Sequence, residues 1–128
     1  MLCLQDLKRL NLHIHGGCDI GARPIDLHLN SFKKLGIKIN ENSGNIHCMC
    51  DKIEDVKIHL DFPSVGATEN IILASVFGKQ EVIIENAALE PEIIDLAQFL
   101  NRMGAKIYGA RNIKCKNKGC SNFKRCFL

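Results

Sequence analysis

Leu35-Gly36-Ile37-Lys38-Ile39 and Met103-Gly104-Ala105-Lys106-Ile107 are one pattern written twice. Asn45-Ile46 and Asn112-Ile113 repeat in the same way, at nearly the same offset. Ahead of each copy stands an apolar stretch opened by proline, at Pro24 and at Pro91. Ile25, Leu29, Phe32 and Leu35 recur at helical spacing before Gly36, and Ile93, Leu96, Ala97, Leu100 and Met103 do so before Gly104. Proline suits the first turn of a helix and glycine its end, so each copy reads as helix, glycine stop, strand pair. Two such copies predict a domain of repeated βαββ-type units.

The remaining segments fit that plan. Leu12 to Ile14 reads as a strand running into Gly16-Gly17, and Ile37–Asn40 and Asn45–Cys48 as a strand pair around a turn at Glu41–Gly44. Lys57–Leu60 and Glu81–Ile84 are further strands, and Lys106–Tyr108 and Asn112–Cys115 form the last pair. Val65–Phe77 reads as a helix apolar nearly all round, which predicts a central position. Strand–helix alternation alone also fits a flavodoxin-like or Rossmann half. The strand pairs argue instead for an α/β (α+β) fold with mixed sheets.

At 128 residues, with 46% apolar and 24% charged side chains, the chain has the composition of an ordinary globular domain. A chain of this size buries roughly two thirds of its unfolded surface. No apolar run approaches the roughly 20 residues that cross a bilayer, and the start resembles no secretory signal, so a cytoplasmic protein without membrane contact is expected. From Arg102 to Leu128 there are eight basic and no acidic residues, whereas the rest of the chain carries a net charge of −5. Such a tail can attract nucleic acid, but only Phe123 and Phe127 accompany it, and a solvated or disordered end is the expectation. The seven cysteines, at 3, 18, 48, 50, 115, 120 and 126, contain no Cys-x-x-Cys pair. Zinc spacing is therefore absent, and neither metal nor cofactor is expected. Most of these thiols read as small apolar side chains.

Two loops carry chemistry. In Gly16-Gly17-Cys18-Asp19-Ile20-Gly21-Ala22-Arg23-Pro24-Ile25-Asp26-Leu27, glycines surround one thiol, and a helix starting near Pro24 aims free amides at the same space. Arg23 can grip a phosphate or carboxylate, and a neighbouring guanidinium favours the thiolate of Cys18, while Asp19 opposes it. A glycine-rich turn with an incidental cysteine reads equally well. In Asp61-Phe62-Pro63-Ser64-Val65-Gly66-Ala67-Thr68-Glu69-Asn70, Ser64 is a natural N-cap. The functional reading has Ser64, Val65 and Gly66 offering backbone groups to a ligand that approaches closely at Gly66.

These two loops, with Ile-Glu-Asn-Ala-Ala-Leu-Glu-Pro-Glu-Ile-Ile-Asp-Leu-Ala at 84–97, closely resemble the UDP-N-acetylglucosamine 1-carboxyvinyltransferases, the enolpyruvyl transferase family that opens peptidoglycan synthesis. The resemblance runs in order from about residue 11 to 114. It implies a partial inside-out α/β barrel, with helices inside and sheets outside, and the transfer of enolpyruvyl from phosphoenolpyruvate to the 3-hydroxyl of UDP-N-acetylglucosamine with release of phosphate. Cys18 falls on the family's catalytic thiol, which acts as general acid, forms a pyruvate adduct and is alkylated by fosfomycin. Arg23 would contact the phosphoenolpyruvate phosphate, Arg23, Pro24, Ile25, Asp26 and Leu27 would line the uridine site, and Ser64, Val65 and Gly66 would approach the UDP portion.

The chain also departs from the family. Phe62 and Pro63 stand where some members have Lys-Val, which removes a charged contact to UDP, and His15 replaces a common proline. His28 reads as a satisfied structural histidine. Residues 1–10 and the basic, Cys-rich 116–128 do not resemble the family, so 11–115 is the expected partial domain. The Lys-Asn pair, the base aspartate and a second phosphate-binding arginine of the family find no match here. An internal fragment, inactive alone, is therefore the expectation. A non-catalytic module that binds UDP-sugars or docks on a partner is the alternative.

Overall fold

The computed structural model describes residues 9–13, 26–42, 45–50, 53, 55–76, 80–109 and 112–116. In chain order the elements are β1 (Arg9–His13), α1 (Asp26–Lys34), β2 (Lys38–Asn42), β3 (Asn45–Met49), β4 (Val56–His59), α2 (Val65–Ser75), β5 (Glu81–Glu85), α3 (Pro91–Arg102), β6 (Ile107–Tyr108) and β7 (Asn112–Lys116). Strands order as β1-β3-β2 in one sheet and β4-β5-β7-β6 in the other. The first sheet is antiparallel. The second is mixed, because β4 runs parallel to β5 while β7 is antiparallel to both β5 and β6.

The repeat is therefore a repeat of topology. In each unit a strand is followed by a helix and a hairpin, and the hairpin's second strand inserts beside the first, giving the orders β1-β3-β2 and β5-β7-β6. The central pairings match in length, Arg9↔Met49 to His13↔Asn45 and Glu81↔Lys116 to Glu85↔Asn112. One difference stands out. Twelve positions, 14–25, separate the described β1 from α1, whereas five, 86–90, separate β5 from α3. The longer interval is the one that carries Gly16-Gly17-Cys18 and Arg23.

Each unit also ends its helix in the same way. Gly36 (φ 86°) and Gly104 (φ 107°) take the left-handed conformation that a side chain disfavours. The Gly36 amide donates to Lys33 O and the Ile37 amide to Phe32 O, both at 3.0 Å; the Gly104 amide donates to Asn101 O and the Ala105 amide to Leu100 O, again at 3.0 Å. These paired bonds, with buried Ile37 and Ala105 just beyond, are the Schellman closure of a helix C-terminus.

Helix α2 lies between α1 and α3 and touches β5, as its apolar circumference requires. Ala67, Ile71 and Ile72 have no exposed surface, and the two polar residues inside are satisfied: Thr68 Oγ1 donates to Ser64 O at 2.7 Å, and Ser75 Oγ to Ile71 O at 2.5 Å. One core joins both units, with Leu35 and Ile37 meeting Ile58, Leu60, Val82, Ile84, Leu100 and Ile113.

Element limits differ from the expected ones where pairing decides them. β1 begins at Arg9 because Arg-Leu-Asn-Leu-His pairs along the whole of β3. Glu41 and Asn42, expected in a turn, pair with Ile46 and Asn45 and lengthen β2. The expected helical positions Pro24 and Phe77 lie outside the described residues. No described helix is long and apolar enough to cross a membrane.

Candidate functional site

Of the residues singled out for chemistry, Cys18, Arg23, Pro24 and Ile25 lie outside the described residues. The others are brought to one place. Asp26 opens α1 and is exposed, and Leu27 behind it packs against the core. Ser64 caps α2 from an extended backbone (φ −128°, ψ 121°), its Oγ accepting the Ala67 amide at 3.3 Å. Val65 and Gly66 form the half-buried first turn of α2.

His28, in the first turn of α1, joins the two segments. A side-chain carbon at Gly66 would stand 3.2 Å from His28 Cε1 and 3.8 Å from Nε2, so the imidazole lies against the bare backbone of α2. His28 Nδ1 is 2.9 Å from Asn70 Nδ2, one helical turn beyond Gly66. The expectation of a satisfied His28 holds. The close approach at Gly66, expected of a ligand, is made by this ring. Because first-turn residues touch each other, the N-termini of α1 and α2 share one end. The positive ends of both helix dipoles favour a negatively charged group there.

The β4–α2 entrance is braced from the second unit. Thr68 Oγ1, besides donating to Ser64 O, accepts the Ala88 amide at 3.1 Å. Asn86, at φ 55°, donates from Nδ2 to Leu60 O at 2.9 Å, and the Leu60 amide donates to Glu85 O at 3.1 Å. Beside this entrance an open cavity of about 500 Å³ is lined by Pro63, Asn86, Ala87, Leu89 and Glu90. It lies outside the carboxyl ends of the parallel strands β4 and β5, where open α/β sheets commonly hold ligands. The sequence singled out none of Thr68, Asn70 and Asn86, since their partners lie 20, 42 and 26 residues away.

On the outer face of the sheet, Lys57 Nζ lies 2.7 Å from Glu85 Oε1 and His59 Nδ1 3.7 Å from Oε2. The hydrogen bond from Lys57 holds the Glu85 carboxyl below the usual carboxylate range. Cys48 and Cys50 are half-buried thiols, and burial pushes the Cys48 thiol up, away from the reactive thiolate.

The architecture recurs in solved structures. The enolpyruvyl transferase NikO from Streptomyces tendae superposes with a TM-score of 0.76 at 16% identity, over 94% of this chain and 29% of that one. EPSP synthase from Acinetobacter baumannii superposes at 0.61, also at 16% identity, over 76% of this chain and 23% of its own. The fold is thus that of the enolpyruvyl transferases. The family model for EPSP synthase (3-phosphoshikimate 1-carboxyvinyltransferase) matches residues 1–126, and the chain belongs to this family.

Among curated relatives, UDP-N-acetylglucosamine 1-carboxyvinyltransferase 2 of Carboxydothermus hydrogenoformans is 57% identical over 80% of this chain and 24% of its own length. UDP-N-acetylglucosamine 1-carboxyvinyltransferase 1 of Caldanaerobacter subterraneus subsp. tengcongensis is 50% identical over 94% of this chain and 29% of its own. The chain spans about a quarter of the length of these relatives.

Proposed function

We propose that the chain is the part of a UDP-N-acetylglucosamine 1-carboxyvinyltransferase that holds the nucleotide-sugar and carries the reactive cysteine, and that it does not turn over alone. In the reaction implied, the 3-hydroxyl of UDP-N-acetylglucosamine adds to C2 of phosphoenolpyruvate as C3 takes a proton. Loss of a proton from C3 and of phosphate from C2 then returns the double bond to the transferred enolpyruvyl group. Cys18 supplies the proton in the addition, Arg23 meets the phosphate, and Pro24, Ile25, Asp26 and Leu27 line the uridine. Ser64, Val65 and Gly66 approach the UDP. The observation that carries this reading is the contact of His28 with Gly66, which sets the two motif segments side by side although they lie far apart in the chain. Family membership and the names of the relatives supply the substrate.

The remaining parts of the reading follow from the same resemblance. The chain forms part of an inside-out α/β barrel. The partial domain expected over 11–115 is wider, because β1 starts at Arg9 and β7 ends at Lys116. The family model, which reaches from 1 to 126, takes in most of the basic 116–128 segment as well. The chain is cytoplasmic and contributes to peptidoglycan synthesis. Positioning of reacting groups is worth several kcal/mol of barrier, and Cys18 and Arg23 cannot supply it without the other family groups. A second reading, a module that docks on a partner, draws on the exposed Leu89, Ile94 and Tyr108 around an open cavity of about 270 Å³ between α3 and β6.

Fosfomycin labelling followed by peptide mass analysis tests the role of Cys18. A single adduct at Cys18, absent in Cys18→Ala, is expected. Labelling spread over several cysteines contradicts the assignment, and phosphate release from phosphoenolpyruvate by the purified chain contradicts its inactivity.

A further inference from the structure

Gly66 and Asn70 are one helical turn apart and so lie on one face of α2, and His28 of α1 meets both. Their contributions differ. At Gly66 a Cβ would come within 3.2 Å of His28 Cε1, closer than packed side chains ordinarily come, so any larger residue must displace the ring. At Asn70 the atom facing the ring is the amide nitrogen, 2.9 Å from Nδ1. An amide nitrogen only donates, so this pairing calls for the lone pair on Nδ1 and the ring proton on Nε2. Nε2 belongs to the ring edge that lies over Gly66, at the first turn of α2.

We infer that Asn70 and Gly66 make His28 a positioning residue, a latch that fixes its tautomer and holds the first turn of α1 against that of α2. The inference rests on the proposed role of these turns in holding the UDP portion. Asp26 and Leu27 precede His28 directly, and Ser64 and Val65 precede Gly66, so both halves of the proposed site hang on this contact. Residues 26–27 and 64–66 move together while it is made. When it is broken, the two first turns lose this tie and only the core packing of α1 against α2 relates them.

The test uses the full 128-residue chain labelled with ¹⁵N. In the wild type the imidazole nitrogens of His28 should report the proton on Nε2 and the lone pair on Nδ1. Asn70→Leu, at an exposed position, should mix the two tautomers and shift the amide signals of Asp26, Leu27, Val65 and Gly66 together. Its affinity for UDP-N-acetylglucosamine should fall up to about tenfold, the scale of one lost hydrogen bond, while the melting temperature hardly changes. His28→Asn keeps an acceptor near the place of Nδ1 and should recover most of the affinity lost in His28→Ala. A wild-type ring protonated on Nδ1, or an Asn70→Leu tautomer change that leaves α1 amides and affinity untouched, overturns the latch. Failure of the wild type to bind UDP-N-acetylglucosamine overturns the proposed function instead, and the tautomer and amide shifts then decide the latch alone.

Discussion

Thr68 shows how much one hydroxyl organises. It is fully buried, donates to Ser64 O and accepts the Ala88 amide, so it ties the cap of α2 to the loop that enters α3. Thr68→Val keeps the shape and removes both bonds, leaving the buried Ala88 amide unsatisfied, and should cost about 1–3 kcal/mol in chemical denaturation. Glu85 makes a prediction in pH. Its carboxyl is held low by Lys57, so the folded state binds fewer protons than the unfolded chain as acid is added. The stabilisation is complete above the ordinary carboxylate range and fades as pH falls through that range and then through the lowered value. Lys57→Met should therefore melt slightly below wild type at neutral pH, with the gap narrowing as pH falls through and below the ordinary carboxylate range. At this scale the sequence was readable only where partners are local. Ser64 could be named as a cap because its acceptor role reaches only to Ala67. The hydroxyl of Thr68 and the amide of Asn70 serve residues 20 and 42 positions away, and nothing local marks them.

Elements were more legible, because helix starts and stops are short-range chemistry. The left-handed glycines at 36 and 104 close α1 and α3 with the same pair of bonds, and the written repeat is the repeat of that closure. Gly104→Ala forces a Cβ into φ 107° and should lower stability by roughly 1–2 kcal/mol, measured by thermal melting. The all-round apolar pattern of α2 placed it at the centre, and Ile72, with no exposed surface, is a position whose truncation should be felt most. Ile72→Ala should cost about 2–5 kcal/mol, readable in urea denaturation. Strand order was not legible. A hairpin's second strand can pair on either side of its unit, and only tertiary packing chooses β1-β3-β2 over a simple meander. The extension of β2 to Asn42 has the same origin: Glu41 and Asn42 carry turn-like side chains, and pairing with β3 overrides that preference.

For the whole molecule, the repeat and the site explain each other. Two units share one topology, and the first differs by a longer interval between strand and helix. Cys18 and Arg23 lie within the longer of the two intervals in sequence, positions 14–25. The end of α2 that pairs with α1 is fixed by the second unit, through Thr68 and Ala88. The chain spans about a quarter of its relatives and carries both segments proposed to hold UDP, so the proposal predicts binding without turnover. Titration calorimetry of the intact chain with UDP-N-acetylglucosamine tests that separation most directly. One-site binding is predicted, retained in Cys18→Ala and weakened by Gly66→Ala. No heat of binding from the folded chain would contradict it.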